Sequence, residues 1–124
     1  MGEPILPKDM AAAQPLIDVF GEPSIRKIFS RAWNLREEGI AEIEDQIMQG
    51  RPTNPSEVFY HGITIVKQTI ADKIVGVTQR AIQFFINLCN TLPNVKLNSN
   101  FSKDLVVMSE HIITTLVDKL GDNL

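Results

Sequence analysis

Residues 34–57 read NLREEGIAEIEDQIMQGRPTNPSE and contain one whole helix pattern, its end and the start of the next helix. Asn34, with Glu37 three residues later, resembles a capping box. Apolar residues then recur at mostly three- and four-residue spacing, which is the spacing of an amphipathic helix. They are Leu35, Ile40, Ile43 and Ile47. The pattern predicts a helix that starts at Asn34 and ends at Gly50, because glycine is the common residue just after a helix end.

The second part of this stretch carries a clear helix start. Asn54 can cap a helix, Pro55 suits its first turn, and Glu57 is an acid near its amino end. The following apolar residues predict a buried stripe up to Ile70. Its members are Val58, Phe59, Ile63, Val66 and Ile70.

The helical spacing continues on both sides of this centre. Toward the carboxyl end we predict an interruption at 71–73, a helix over 74–90, a loop around 93–100 and a last helix over 102–120. Toward the amino end we predict a short helix over 23–30, and an irregular leader over 1–15 because of its prolines. No segment alternates as an exposed strand would, so the predicted fold class is all-α.

The breaks between helices recur about 40 to 50 residues apart, which is the period of HEAT-type helix pairs. Trp33, Asp72 and Asp122 occupy corresponding positions in this period. Stacked antiparallel pairs form an α-solenoid and place the turns within each pair along one edge. We therefore predict a domain over residues 16–124 with about two and a half repeats, and we expect its edge of turns to be a binding surface.

Composition excludes several other classes of protein. The chain has 124 residues, 12 Lys plus Arg against 15 Asp plus Glu, and a net charge of −3. A net negative charge provides no general attraction to nucleic acid or to an anionic membrane. The single cysteine fits a reducing compartment, so we expect a cytoplasmic protein. The amino terminus lacks the pattern of a secretory signal, and no apolar run is long enough to span a bilayer.

Three motifs resemble those of TOG domains, a HEAT-repeat family. FSRAWNLREE at 29–38 resembles the first turn within a repeat of that family, and DKIV at 72–75 falls where the second turn lies. LVDKLGD at 116–122 resembles the ending of the first helix of the third repeat. The motifs occur in the family's order and spacing, and the resemblance extends from about residue 15 to residue 122. It identifies the chain as part of a TOG array.

The resemblance implies that the edge of turns binds αβ-tubulin, with a role at microtubule ends, in cilia or at centrioles. By position it nominates Trp33, Arg36 and Lys73 as tubulin contacts, and Arg31, Asn34 and Val77 as further candidates. Two features depart from the family pattern. Ile74 stands where many members have asparagine, and the chain ends where the third turn would begin.

Two of these residues also have ordinary structural interpretations. Trp33 is either an exposed anchor or a core side chain that fills a gap near a helix end. Arg36 is either a tubulin contact or a solvated charge close to Glu37 and Glu38.

No chemical motif predicts an enzyme, a cofactor or a metal site. Glu57 and His61 share a helix face, but a metal site would need a further ligand. Cys89 has apolar neighbours and is expected to be a buried thiol. A nucleotide-binding loop and a nucleophile elbow are both absent from the sequence.

A second hypothesis is a HEAT-type scaffold or oligomerisation segment that does not bind tubulin. The last predicted helix carries eight apolar residues, and no following sequence covers them. This hypothesis predicts self-association through the C-terminal helix.

Overall fold

The computed structural model describes residues 3–51 and 54–91 and, near the carboxyl end, residues 107, 110, 112–114 and 117–118. The helices are α1 (Pro7–Phe20), α2 (Glu22–Ile28), α3 (Trp33–Met48), α4 (Pro55–Ile70) and α5 (Val75–Thr91). The described residues near the carboxyl end are also helical, and the described part contains no strand. The all-α prediction is therefore confirmed. The loop predicted around 93–100, and Asp122, lie outside the described residues.

Helix α1 corrects the prediction of an irregular leader over residues 1–15. Pro7 occupies the first turn, where its missing N–H costs no hydrogen bond, and the alanines at 11–13 favour helix. Pro15 lies inside the helix on its exposed side. Burial of Ala13, Leu16 and Phe20 supplies the tertiary packing that offsets this proline. The predicted boundary at residue 16 thus falls within a helix.

Gly21 separates α1 from α2. Its φ of 92° lies in the left-handed region that favours glycine, and its N–H donates to the carbonyl of Ile17 at 2.8 Å. Pro23 then lies in the first turn of α2. This tight break turns the chain between two helices that pack on each other.

The helices form a two-layer HEAT-like array. Helix α2 packs on α3, and α4 packs on α5, and each pair is joined by a connection of four residues, 29–32 and 71–74. Short connections between packed neighbours make each pair an antiparallel hairpin. Helix α3 also packs on α5, and α1 packs on both α2 and α4. The turns within the two pairs therefore lie at the same edge of the array.

A continuous apolar core lies between the two layers. Helices α1 to α5 and Ile112 of the carboxyl-terminal stretch all contribute to it. Its largest fully buried side chains are Phe59, Phe84, Leu16, Ile25, Ile28, Ile40, Ile43, Ile63, Ile65, Ile70, Leu88 and Ile112. Burial of these side chains fixes the relative position of the two hairpins.

Close packing and a polar cluster join α2 to α3. A Cβ on Gly39 would lie 3.0 Å from Cβ of Lys27 and 3.1 Å from the backbone nitrogen of Ile28, so glycine permits this approach. Lys27 forms ion pairs with Glu42 and, at 3.1 Å, with Glu38. The hydrogen bond with Glu42 raises the pKa of Lys27. This cluster, together with the packing, holds the first hairpin closed.

The predicted cap of α4 is present. The Oδ1 atom of Asn54 accepts hydrogen bonds from the backbone N–H groups of Ser56 at 3.1 Å and Glu57 at 3.3 Å. The predicted capping box at Asn34 is wrong, because α3 begins at Trp33 with Ala32 as its cap, and no side chain caps it. Within the described residues, no helix combines the length and apolar character needed to cross a membrane.

Candidate binding edge

The first turn, residues 29–32, is held by side chains from outside it. Glu3 Oε1 accepts a hydrogen bond from the Arg31 backbone N–H at 2.7 Å, and Glu3 Oε2 accepts one from Ser30 Oγ at 2.9 Å. Ser30 Oγ in turn accepts from the Ala32 backbone N–H at 3.1 Å. These bonds fix the backbone immediately before Trp33.

The second turn, residues 71–74, is organised by Asp72. Its Oδ1 accepts a hydrogen bond from the Ile74 backbone N–H at 2.9 Å, which is the pattern of an Asx turn. Its carbonyl oxygen accepts from Thr78 Oγ1 at 3.1 Å, and its own N–H donates to the carbonyl of Thr69 at 3.1 Å. The end of α4 and the start of α5 are thereby tied to one residue.

Arg36 joins the two turns. Its Nε donates to Asp72 Oδ2 at 2.7 Å and its Nη2 donates to Asp72 Oδ1 at 2.9 Å, so the ion pair is bidentate. Its Nη1 donates to the carbonyls of Ser30 at 3.0 Å and Arg31 at 2.9 Å. Only 18% of the Arg36 side chain and 10% of the Asp72 side chain are exposed. The expectation that the turns near Trp33 and Asp72 share one edge is therefore confirmed.

We call this edge the turn rim, defined as residues 29–33 and 71–75. Three apolar side chains are exposed on it: Trp33 at 51%, Ile74 at 39% and Val75 at 62%. Two cations, Arg31 and Lys73, are exposed beside them. The turn rim therefore combines a backbone held by hydrogen bonds, exposed apolar side chains and two exposed cations, which together suit contact with a protein surface that is apolar and acidic.

The residues predicted as tubulin contacts differ in their exposure and in their bonds. Trp33, Lys73, Arg31 and Asn34 are exposed at or next to the turn rim. Arg36 lies at the rim, but Asp72 and the carbonyls of the first turn occupy its guanidinium. Val77 is fully buried, so its prediction as a direct contact is wrong. It lies two residues inside α5, on the side that faces the core.

The sequence analysis missed three residues of this region. Val75 was not among the nominated contacts, although it is exposed at the first position of α5. Ile74 was noted only as a departure from the family pattern. Glu3 carried no signal, because its partners lie 27 and 28 residues further along the chain.

Other candidate chemistry does not assemble in the described part of the chain. Among the residues that the structure describes, no group of three or more His, Cys, Asp or Glu side chains is placed to hold a metal ion. Cys89 is exposed, so the expectation of a buried thiol is wrong. Partial desolvation raises the pKa of Cys89, so the thiol stays protonated at neutral pH.

Comparison with known proteins shows the family of the chain. The sequence model for the TOG domain of centrosomal protein CEP104 matches residues 10–124. Among curated proteins, the Homo sapiens "Centrosomal protein of 104 kDa" is 23% identical over 126 residues, which cover 98% of this chain and 13% of that protein. The chain thus spans about an eighth of the length of this relative. No solved structure matches the chain.

Proposed function

Because this chain belongs to the CEP104 TOG-domain family, a family of binding modules, we propose that it binds αβ-tubulin through the turn rim. In this proposal Trp33 presses on an apolar part of the tubulin surface, while Arg31 and Lys73 lie against acidic side chains. The module is non-enzymatic and acts at microtubule ends. Its expected location is the cytoplasmic cytoskeleton, at the centrosome or the ciliary tip.

The observation that carries the proposal is the exposure of Trp33 on a fixed backbone. Half of the largest side chain in the sequence is in contact with solvent at the first residue of α3. Tryptophan is enriched among the residues that dominate binding energy, because it buries a large apolar area at low conformational cost. A core role for Trp33, the other interpretation of the sequence, does not suit a side chain with this exposure.

The distribution of charge also favours the turn rim as the binding surface. The chain as a whole carries a net charge of −3, so a negatively charged partner needs a local positive patch. Arg31 and Lys73 are both exposed on the turn rim, one on each turn. Arg36 supplies no direct contact in this proposal. It holds the two turns, and with them the two cations, in a fixed relation.

The deciding experiment measures tubulin binding by the Trp33→Ala variant. We expect a loss of about 2 kcal/mol or more in binding free energy, which is a factor of about 30 in Kd. Unfolding free energy should change by less than about 1 kcal/mol, because the side chain is half exposed and leaves no enclosed cavity. Size exclusion and fluorescence titration with αβ-tubulin measure the binding, and urea unfolding measures the stability.

The matched control is Met48→Ala. Met48 is 84% exposed at the last residue of α3, at the opposite end of the helix that begins with Trp33. Its truncation should leave tubulin binding unchanged. Equal binding by the wild type and the Trp33→Ala variant would contradict the proposed site.

A second candidate function is self-association as a scaffold. Val107, Ile113 and Val117 are exposed apolar residues of the helical carboxyl-terminal stretch. Exposed apolar side chains on one helical stretch favour contact with another protein surface. Light scattering after size exclusion tests this function: a concentration-dependent dimer that Ile113→Asp abolishes supports it. A monomer at every concentration that forms a complex with tubulin contradicts it as the main role.

A further inference from the structure

The segment at residues 3–6 precedes the region that the family model matches, which starts at residue 10. It nevertheless contacts the turn rim. Both carboxylate oxygens of Glu3 accept hydrogen bonds from the first turn, one from the Arg31 backbone N–H and one from Ser30 Oγ. Arg26 Nε donates to the carbonyl of Glu3 at 3.4 Å, so the Glu3 backbone is held as well.

A continuous chain of hydrogen bonds starts at Glu3 and crosses the turn rim. Ser30 accepts from Arg36 Nη1 through its carbonyl, and Arg36 donates to both oxygens of Asp72. Asp72 accepts from the Ile74 N–H. Two backbone groups next to exposed side chains of the rim are restrained: the Ala32 N–H, which donates to Ser30 Oγ just before Trp33, and the Ile74 N–H just before Val75. Loss of the first link releases the Arg31 N–H and the Ser30 hydroxyl, while the bonds from Arg36 to the first-turn carbonyls and to Asp72 remain.

The charge of Glu3 is suited to this role. The backbone hydrogen bond from Arg31 lowers the pKa of Glu3, and the hydrogen bond from Ser30 lowers it further. The carboxylate is therefore ionised at neutral pH, and an ionised carboxylate is the stronger acceptor for both bonds.

We propose that Glu3 is a positioning residue for tubulin binding, which fixes the first turn so that Trp33 and Arg31 are presented in the bound geometry. The functional module then includes residues ahead of the stretch that the family model matches. This inference rests on the proposed function, since it concerns the same surface. Its physical basis is preorganisation: a turn that is ordered before binding loses less conformational entropy when the partner arrives.

The test compares Glu3→Ala and Glu3→Gln in the full 124-residue chain. Glu3→Ala removes both acceptors, and we expect tubulin binding to weaken about three- to tenfold, the loss that ordering one or two groups on binding would cause. Glu3→Gln keeps a side-chain oxygen for the Arg31 N–H and should retain most of the affinity. Amide hydrogen exchange of Arg31 should be faster in Glu3→Ala, while exchange in the core helices stays unchanged.

The matched control is Glu57→Ala. Glu57 is an exposed glutamate in the first turn of α4, at the edge away from the turn rim, and it should bind tubulin like the wild type. If Glu3→Ala shows faster Arg31 exchange but binds tubulin as tightly as the wild type, the positioning role is overturned and the proposed function stands. If the wild type itself forms no complex with tubulin, the proposed function fails first, and that result is visible without any variant.

Discussion

The two edges of the helical array are built differently. At the turn rim, hydrogen bonds connect residues far apart in the chain: Glu3 to Arg31 over 28 positions and Arg36 to Asp72 over 36. Toward the opposite edge, Asn87 donates to Glu44 between α5 and α3 at 3.0 Å, but this bond holds no turn backbone. Among the described residues, the turn where α3 ends has local bonds, such as that of Arg51 to Gln49 two positions away, and Gly50 takes a positive φ of 68°. Long-range bonds hold a surface in one shape, whereas local bonds only complete a turn.

This difference explains how the turn rim can expose apolar side chains in a defined arrangement. An exposed tryptophan on a loosely held loop would pay an ordering cost each time it bound. On the turn rim, side chains already hold the backbone around Trp33. Met48 at the opposite edge is more exposed than Trp33, but among the described residues the backbone after it is held by local bonds, from the Gln49 N–H to the Asp45 carbonyl and from the Gly50 N–H to the Ile47 carbonyl. Exposure alone therefore does not identify a binding surface; exposure on a fixed backbone does.

The largest expected effect comes from Arg36→Ala, which would break the link between the two turns. The variant leaves Asp72 only 10% exposed and without its bidentate partner, and it frees two carbonyls of the first turn. We expect the unfolding free energy to fall by about 2 to 3 kcal/mol, because a mostly buried charge loses its counter-charge. Tubulin binding should weaken in the same variant. Urea unfolding measures the first effect and tubulin titration the second.

Two further variants make this test specific. Arg51→Ala removes an exposed arginine at the opposite edge and should cost less than about 0.5 kcal/mol. In the double variant Arg36→Ala/Asp72→Ala, adding Asp72→Ala should lower the unfolding free energy much less than Asp72→Ala does in the wild type, because the two side chains contact each other. Strict additivity of the two single effects would show that the pair does not hold the rim.

The sequence predicted the array but not the network at its edge. The helix periodicity, the cap at Asn54 and the break at Gly50 depend on residues that are close in the sequence. They could therefore be predicted from the sequence alone. For Arg36 the sequence offered a tubulin contact or a solvated charge, because its nearest charges in the sequence are Glu37 and Glu38. Its true partner, Asp72, is adjacent only after two hairpins have stacked. The alanines and buried stripe of α1 outweighed the prolines that predicted an irregular leader.

Val75→Ser tests whether the apolar part of the turn rim extends from the first turn to the second. Val75 is 62% exposed at the start of α5, so the substitution should leave stability within about 0.5 kcal/mol. We expect tubulin binding to weaken by about 1 kcal/mol, or fivefold in Kd, because an exposed apolar side chain of the turn rim is lost. Ile86→Ser is the matched control, since Ile86 is exposed on the same helix away from the rim.

The result for Val75→Ser also indicates whether the neighbouring Ile74 is a tubulin contact. If both residues contact tubulin, the second turn is an apolar contact in this chain, whereas the resemblance to TOG domains implies an asparagine there in many members. A Val75→Ser variant that binds as well as the wild type would confine the apolar contact to Trp33.

The smallest expected effect belongs to Lys73→Ala. Lys73 is exposed, so solvent and salt screen its attraction to an acidic partner, and its loss should cost about 0.5 to 1 kcal/mol of binding at low salt. Rim charges act mainly on the association rate, so stopped-flow measurements should show slower association and little change in dissociation. Arg51→Ala carries the same change of charge to the opposite edge and should leave the rate near that of the wild type. Equal effects of the two variants would mean that only the net charge of −3 matters, and that the local charge of the turn rim does not steer the partner.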